Sequence, residues 1–223
     1  MTHKFLLVGL GLLIFSLFSC KSEGVWIEFE DPIFITYLHD YCDIPITEKG
    51  RIDMEDEATC IALGKITDLN LDDIKCSNLV GIKHLVSLVN LSCNNNRLTA
   101  LDVSGMNRLR TLSCRKNQIK TTNIKECVSL QSFDCSDNQI ETLELKGQIA
   151  LGFLFCKRNR LSQLDVCECK SLQYLSCENQ TDDKNNSRQM TLIMPADMQK
   201  IWEDIWEKNN PNAVSYTHLR AHE

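Results

Sequence analysis

Leu109-Arg110-Thr111-Leu112-Ser113-Cys114-Arg115-Lys116-Asn117-Gln118-Ile119 is one copy of a phrase that organises the chain. The phrase returns in phase around Cys93, Cys114, Cys135, Cys156 and Cys177, which are evenly spaced along the chain. A leucine stands five positions before every one of these cysteines: Leu88, Leu109, Leu130, Leu151 and Leu172. A second apolar side chain stands two before: Leu91, Leu112, Phe133, Leu154 and Leu175. Asn96, Asn117, Asn138 and Asn159 follow each cysteine by three, and Leu98, Ile119, Ile140 and Leu161 by five. In the last copy Gln180 stands in the asparagine slot and Asp182 in the leucine slot.

L-x-x-L-x-C-x-x-N-x-L is the leucine-rich-repeat phrase, with cysteine in one apolar slot. The residue two before each cysteine and the cysteine itself share one side of a short strand, because strand side chains alternate. Both point inward, and the asparagine marks the place where the chain must turn. A second apolar pair follows on the return stretch: Leu101/Val103, Thr122/Ile124, Leu143/Leu145 and Leu164/Val166. Asp102, Asn123, Glu144 and Asp165 sit between them and should face water. The return path is therefore short and extended. No row buries its own apolar face, so the core arises by stacking. The fold class is a leucine-rich-repeat solenoid with parallel short strands on the concave face, a short extended or irregular convex side, a helical N-terminal cap and a C-terminal capping helix.

Residues 66–189 carry the repeats. The first is irregular. Ile66, Leu69 and Leu71 precede Leu88, Leu91 and Cys93 by one position more than the regular period, Ile74 replaces the asparagine and Cys76 takes the leucine slot. Upstream, residues 31–65 read as a cap of two helices. Asp31-Pro32 opens the first, with Phe34, Tyr37, Leu38 and Tyr41 at helical spacing. The second is expected to start near Asp53, with Glu55 and Asp56 in its first turn and Met54, Ala58 and Ile61 as its stripe. The intervening loop resembles a calcium loop, with Gly50 at the turn. Ligand positions 1, 3, 5 and 12 fall on Pro45, Thr47, Lys49 and Asp56, and Pro and Lys supply no side-chain oxygen. The pair is a degenerate calcium-loop-like cap, and no metal or cofactor is expected.

Residues 1–20 read as a lipoprotein signal peptide: Lys4 is the basic start, Phe5 to Phe18 the apolar run. The ending Leu17-Phe18-Ser19-Cys20 resembles a bacterial lipobox, which makes Cys20 the lipidation site. Buried acyl chains contribute about 0.8 kcal/mol per CH₂, so several chains hold a domain firmly on a membrane. Residues 21–30 read as a tether. Downstream, 190–213 read as a capping strand from Met190 to Met194 and a helix from Pro195 to about Lys208. Met198, Ile201, Trp202, Ile205 and Trp206 form that helix's apolar stripe. Residues 214–223 resemble a translated sequencing-adapter stretch, and the natural chain is expected to continue differently after about Ala213.

The chain has 12 cysteines. Stacked rows lie about 4.8 Å apart with parallel side chains, whereas a disulfide needs convergent Cβ atoms and zinc a tetrahedral set. The column of five therefore reads as small buried hydrophobes. Cys127 and Cys169 share another column with Leu85, Met106 and Gln148. Cys42 and Cys60, on the two cap helices, are the one pair considered for a disulfide.

The net charge of -6 and the lack of a basic stripe argue against nucleic acid as a partner. No nucleophile constellation is present, so the chain does not read as an enzyme. What varies between rows is the concave face. The rows around Cys93, Cys114 and Cys135 are small and polar there, but those around Cys156 and Cys177 bring Phe153, Phe155 and Tyr174 together, rimmed by Lys157, Arg158 and Glu178. These six are the candidate ligand-binding residues, for a protein or glycan on the concave face. The whole phrase, with Leu101-Asp102-Val103-Ser104 after Leu91-Ser92-Cys93-Asn94-Asn95-Asn96, resembles the leucine-rich repeats of surface lipoproteins in Gram-negative bacteria, which have the same period. That resemblance spans roughly residues 31–209. It implies a lipid-anchored binding module of the bacterial cell envelope, at the outer membrane or cell surface. The alternative is a structural envelope lipoprotein with no specific ligand.

Overall fold

A computed structural model describes residues 26–195, apart from 28, 48–50, 54 and 183. The signal peptide with Cys20, the centre of the calcium-like loop, the C-terminal helix and the tail from 214 lie outside the described residues. The elements run β1 (Trp26–Ile27), α1 (Pro32–Cys42), β2 (Ile52–Asp53), α2 (Glu57–Lys65), β3 (Asp68–Asn70), β4 (Asn90–Ser92), β5 (Ala100–Asp102) and β6 (Thr111–Ser113). They continue β7 (Thr121–Asn123), β8 (Ser132–Asp134), β9 (Phe153–Phe155), β10 (Gln163–Asp165), β11 (Tyr174–Ser176) and β12 (Thr191–Ile193).

The sequence period becomes a parallel sheet in the order β11-β9-β8-β6-β4-β3. Equivalent residues pair in register: Leu91 with Leu112, Leu112 with Phe133, Phe133 with Leu154. In each strand the central residue is buried, and two residues on lies a buried cysteine, or Leu71 after β3. The return side forms two short parallel pairs, β5-β7 and β10-β12. Leu101, Val103, Ile124, Leu143, Leu145, Leu164 and Val166 are buried there, while Asp102, Glu144 and Asp165 face water. β12 closes this side. Gln163 pairs with Thr191, a longer step along the chain than the regular one from Ala100 to Thr121. The surplus in this last row makes the loop after Gln180, and Leu192 and Met194 drop into the buried convex slots beyond it.

The asparagine column ties the rows together. Asn138 Nδ2 donates to the carbonyls of Cys114 (3.0 Å) and Cys135 (3.1 Å), and its Oδ1 accepts from the Ile119 N–H at 3.0 Å. Asn96, Asn117 and Asn159 repeat the pattern. So does Gln180, on Cys156, Cys177 and Leu161. The longer amide ends the ladder without leaving a buried carbonyl unpaired, which would cost about 1–3 kcal/mol. Asn95, Lys116, Asp137, Arg158 and Asn179, just before each amide, all take positive φ between 52° and 59°. Asn and Asp tolerate that region best among residues with a Cβ.

The cysteine column is buried throughout, and no disulfide links its members. Burial raises the thiols of Cys93, Cys114, Cys135 and Cys156 well above their ordinary value and pushes Cys76 up to about 12, so they stay neutral. Cys127 and Gln148, one row apart in the other column, donate to Val103 (3.1 Å) and Ile124 (3.0 Å) carbonyls respectively. No disulfide joins Cys42 to Cys60.

The cap differs from the sequence reading in two places. Trp26, Ile27 and Phe29 are not tether: β1 pairs antiparallel with β2, and Phe29 is buried edge-on to Phe34 at 5.3 Å. The pairing claims Ile52 and Asp53 as strand, so α2 begins at Glu57 and not near Asp53, with Asp56 as its N-cap on Thr59 (2.8 Å). Its buried side chains are Thr59 and Leu63, while Ala58 and Ile61 face water. In α1, Phe34 and Leu38 are buried and Tyr41 is exposed.

Asp31 joins cap to solenoid. One oxygen caps α1 through the Ile33 and Phe34 N–H groups at 2.9 and 3.2 Å. The other accepts from the N–H and hydroxyl of Ser77, at 2.5 and 2.7 Å, in the first repeat. Burial by itself would raise this carboxyl; the hydrogen bonds from Ser77, Phe34 and Ile33 outweigh it and hold it below its ordinary value. Beside it, Gly81 has φ 95° and a Cβ there would lie 2.6 Å from the Phe29 ring, so only glycine fits.

Candidate binding face

On each concave strand the first and third residues face outward, because the middle one is buried. This alternation puts Phe153 and Tyr174 on the surface, 43% and 47% exposed, and leaves Phe155 half-buried. The backbone register sets Tyr174 directly beside Phe153. The close ring pair is nevertheless the diagonal one: Phe155 and Tyr174 lie 5.1 Å apart at 37°. Diagonal neighbours on adjacent strands are within reach of aromatic side chains. The Tyr174 ring therefore leans over Phe155 and shields it, which is why Phe155 is the least exposed of the three.

The charged rim is tied up in pairs between rows. Arg158 and Arg115 both hold Asp137, through Arg158 Nη2 at 2.8 Å and Arg115 Nε at 2.9 Å. Hydrogen bonds from Arg158 foremost, and from Arg115, lower the Asp137 carboxyl to about 2. Lys157 stands 3.9 Å from Glu178, and the buried Ser176 hydroxyl donates to that carboxylate at 2.8 Å. The structure thus brings all six predicted residues onto one end of the concave face. Lys157, Arg158 and Glu178 serve there first as braces between neighbouring rows. Partly exposed pairs of this kind contribute about 0–1 kcal/mol each.

The other end carries a feature the repeat pattern gave no reason to seek. Tyr37 and Tyr41 of α1 stack at 4.7 Å and 25°. They stand over β3, β4 and β6 and wall a groove of about 490 Å³. The signal was present as two aromatics one helical turn apart, but helical spacing alone assigned them to the core stripe with Phe34 and Leu38.

The parallel sheet, the buried leucine and cysteine columns and the amide ladder define a leucine-rich-repeat solenoid. Comparison with solved structures agrees. An internalin C2 from Listeria monocytogenes superposes with a TM-score of 0.56 at 21% identity, over 75% of each chain. An internalin (inlF) from the same organism has a TM-score of 0.38 at 16% identity, over 75% of this chain and 64% of its own. The functional domain of InlJ, also from Listeria monocytogenes, has a TM-score of 0.25 at 15% identity, over 65% of this chain and 46% of its own. The first likeness shows the fold and the fold alone. No protein-family model matches the chain, and no curated protein does.

Proposed function

We propose that the chain is a recognition module that binds a protein partner on its concave face while a lipid on Cys20 holds it at the bacterial cell envelope. The observation that carries the binding reading is the ring cluster of Phe153, Phe155 and Tyr174. Two of its rings are more than two-fifths exposed, on a sheet whose other rows show small polar groups. Aromatic anchors ringed by satisfied polar groups are the composition of a protein-binding hot spot. The pairs Arg158–Asp137 and Lys157–Glu178 pre-order that rim before any partner arrives. The anchor rests on the apolar run and the lipobox-like ending at Cys20.

Purified full-length protein and the variants Phe153→Ser and Tyr174→Ser are to be immobilised against bacterial and host extracts. Wild type should retain a partner that both variants lose by tenfold or more, with thermal melting nearly unchanged. A partner retained equally by the variants would move the contact to the acidic outer face around Asp102, Glu144 and Asp165. No partner at all would favour an inert structural lipoprotein. Labelled palmitate should enter wild type and not Cys20→Ala; equal labelling sinks the anchor.

A further inference from the structure

The groove at the N-terminal end of the concave face has its own chemistry. Its wall is the Tyr37–Tyr41 stack, and Tyr41 is 74% exposed. Its floor is made by the outward residues of three strands, among them Asp68, Asn70, Asn90 and Thr111. Asp68 accepts from Asn90 Nδ2 at 2.6 Å and from the Thr67 hydroxyl at 2.7 Å. Asn70 Oδ1 accepts from the Asp72 N–H at 3.0 Å. These bonds orient the side chains and leave Asn70 Nδ2, Asn90 Oδ1 and the Thr111 hydroxyl with no hydrogen-bond partner among the described residues. A fixed donor, a fixed acceptor and a hydroxyl that can do either therefore line one floor beneath two aromatic rings.

We propose that this groove binds a neutral saccharide, with a pyranose ring against the tyrosine wall and its hydroxyls on Asn70, Asn90 and Thr111. Three observations select that class. The apolar C–H face of a sugar packs on an aromatic ring, while its hydroxyls both donate and accept, as the floor demands. Among the described residues no Lys or Arg lines the groove, so a phosphate or carboxylate would meet Asp68 with no counter-charge from them. An apolar peptide side chain would strand the free amide groups and the hydroxyl out of water, which is costly. The volume of about 490 Å³ falls within the range of small-molecule sites, roughly 300–1,000 Å³. The site is chemically distinct from the ring cluster at the other end of the sheet and does not depend on it.

The test uses the full-length protein on an array of neutral and acidic oligosaccharides drawn from both eukaryotic surface glycans and bacterial envelope polysaccharides. Titration calorimetry with the bound sugars follows. Wild type should bind at least one neutral sugar from either source. Tyr41→Ala and Asn90→Ala should each weaken it by tenfold or more, while Phe153→Ser leaves it unchanged. Tyr41 is too exposed for its loss to unfold the cap, and a melting curve checks this. The proposal is overturned if no neutral sugar binds, if only sialylated or sulfated sugars bind, or if Tyr41→Ala binds as wild type does. It is equally overturned if Phe153→Ser, and not Tyr41→Ala, abolishes sugar binding.

Discussion

The amide ladder and the Asp31 clasp hold the two parts of this molecule in opposite ways. Between rows, five equivalent amides from Asn96 to Gln180 each bridge consecutive turns, so cohesion is spread along the whole solenoid. Between cap and solenoid, one carboxylate takes hydrogen bonds from α1 with one oxygen and from Ser77 with the other. A repeat can copy a contact at every turn, because each row meets only its neighbours. A cap occurs once, so its junction is made from whatever single residues are there. The ladder is also built from neutral groups, whereas the clasp ionises. The first should be insensitive to pH and the second should not.

The largest effect should come from the middle of the ladder. Asn138→Ala would leave the Ile119 N–H without its acceptor and take one of two amide donors from each of the Cys114 and Cys135 carbonyls, which keep Asn117 and Asn159, and should cost about 3 kcal/mol in chemical denaturation. Asn138→Gln keeps the amide that Gln180 shows to be serviceable and should lose markedly less. If Ala and Gln cost the same, the ladder's contribution is packing and not hydrogen bonding.

A smaller effect is expected at the clasp, where Asp31→Ala should cost about 1–2 kcal/mol, the range for losing a helix cap. Because the Asp31 carboxyl is lowered on folding, its contribution is present above its ordinary value of 3.8 and is lost as pH falls through the lower folded value. Hydrogen exchange should show α1 and β1 losing protection under acid before the rows around Cys114 and Cys135 do, and Asp31→Asn should flatten that dependence. Cap and rows opening together at every pH would erase the distinction between the two junctions.

The smallest effect lies within a turn. Gly105, Glu126 and Gly147 occupy one column with φ of 81°, 62° and 79°. Glu126→Gly relieves a left-handed residue but frees the unfolded chain, so the net gain should be under about 1 kcal/mol. A loss would mean that the Glu126 side chain makes a stabilising contact.

The interior was legible because it repeats. Leu112 and Cys114 could be placed inward from period and alternation, and the same reasoning put Phe153 and Tyr174 outward. The misread elements share one physical cause, contact between segments distant in sequence. α2 starts late because β1, far upstream, recruits Ile52 and Asp53 into a sheet. Asp31 was readable as a helix cap from its place before Pro32; its second oxygen's hold on Ser77, in the first repeat, was not. Tyr37 and Tyr41 have the same helical spacing as core residues. Only the seat of α1 on the first repeats turns Phe34 and Leu38 inward and the tyrosines toward β3, β4 and β6.

By itself the sequence determined the solenoid, its parallel register, the buried thiol column and the end of the concave face that carries aromatic rings, because a repeated local pattern has one way to bury its apolar side. Tertiary structure alone decided how the cap docks, that the charged rim is spent on bridges between rows, and that a tyrosine-walled groove exists. Those features depend on single contacts between unrelated segments, and a contact made only once leaves no period to read.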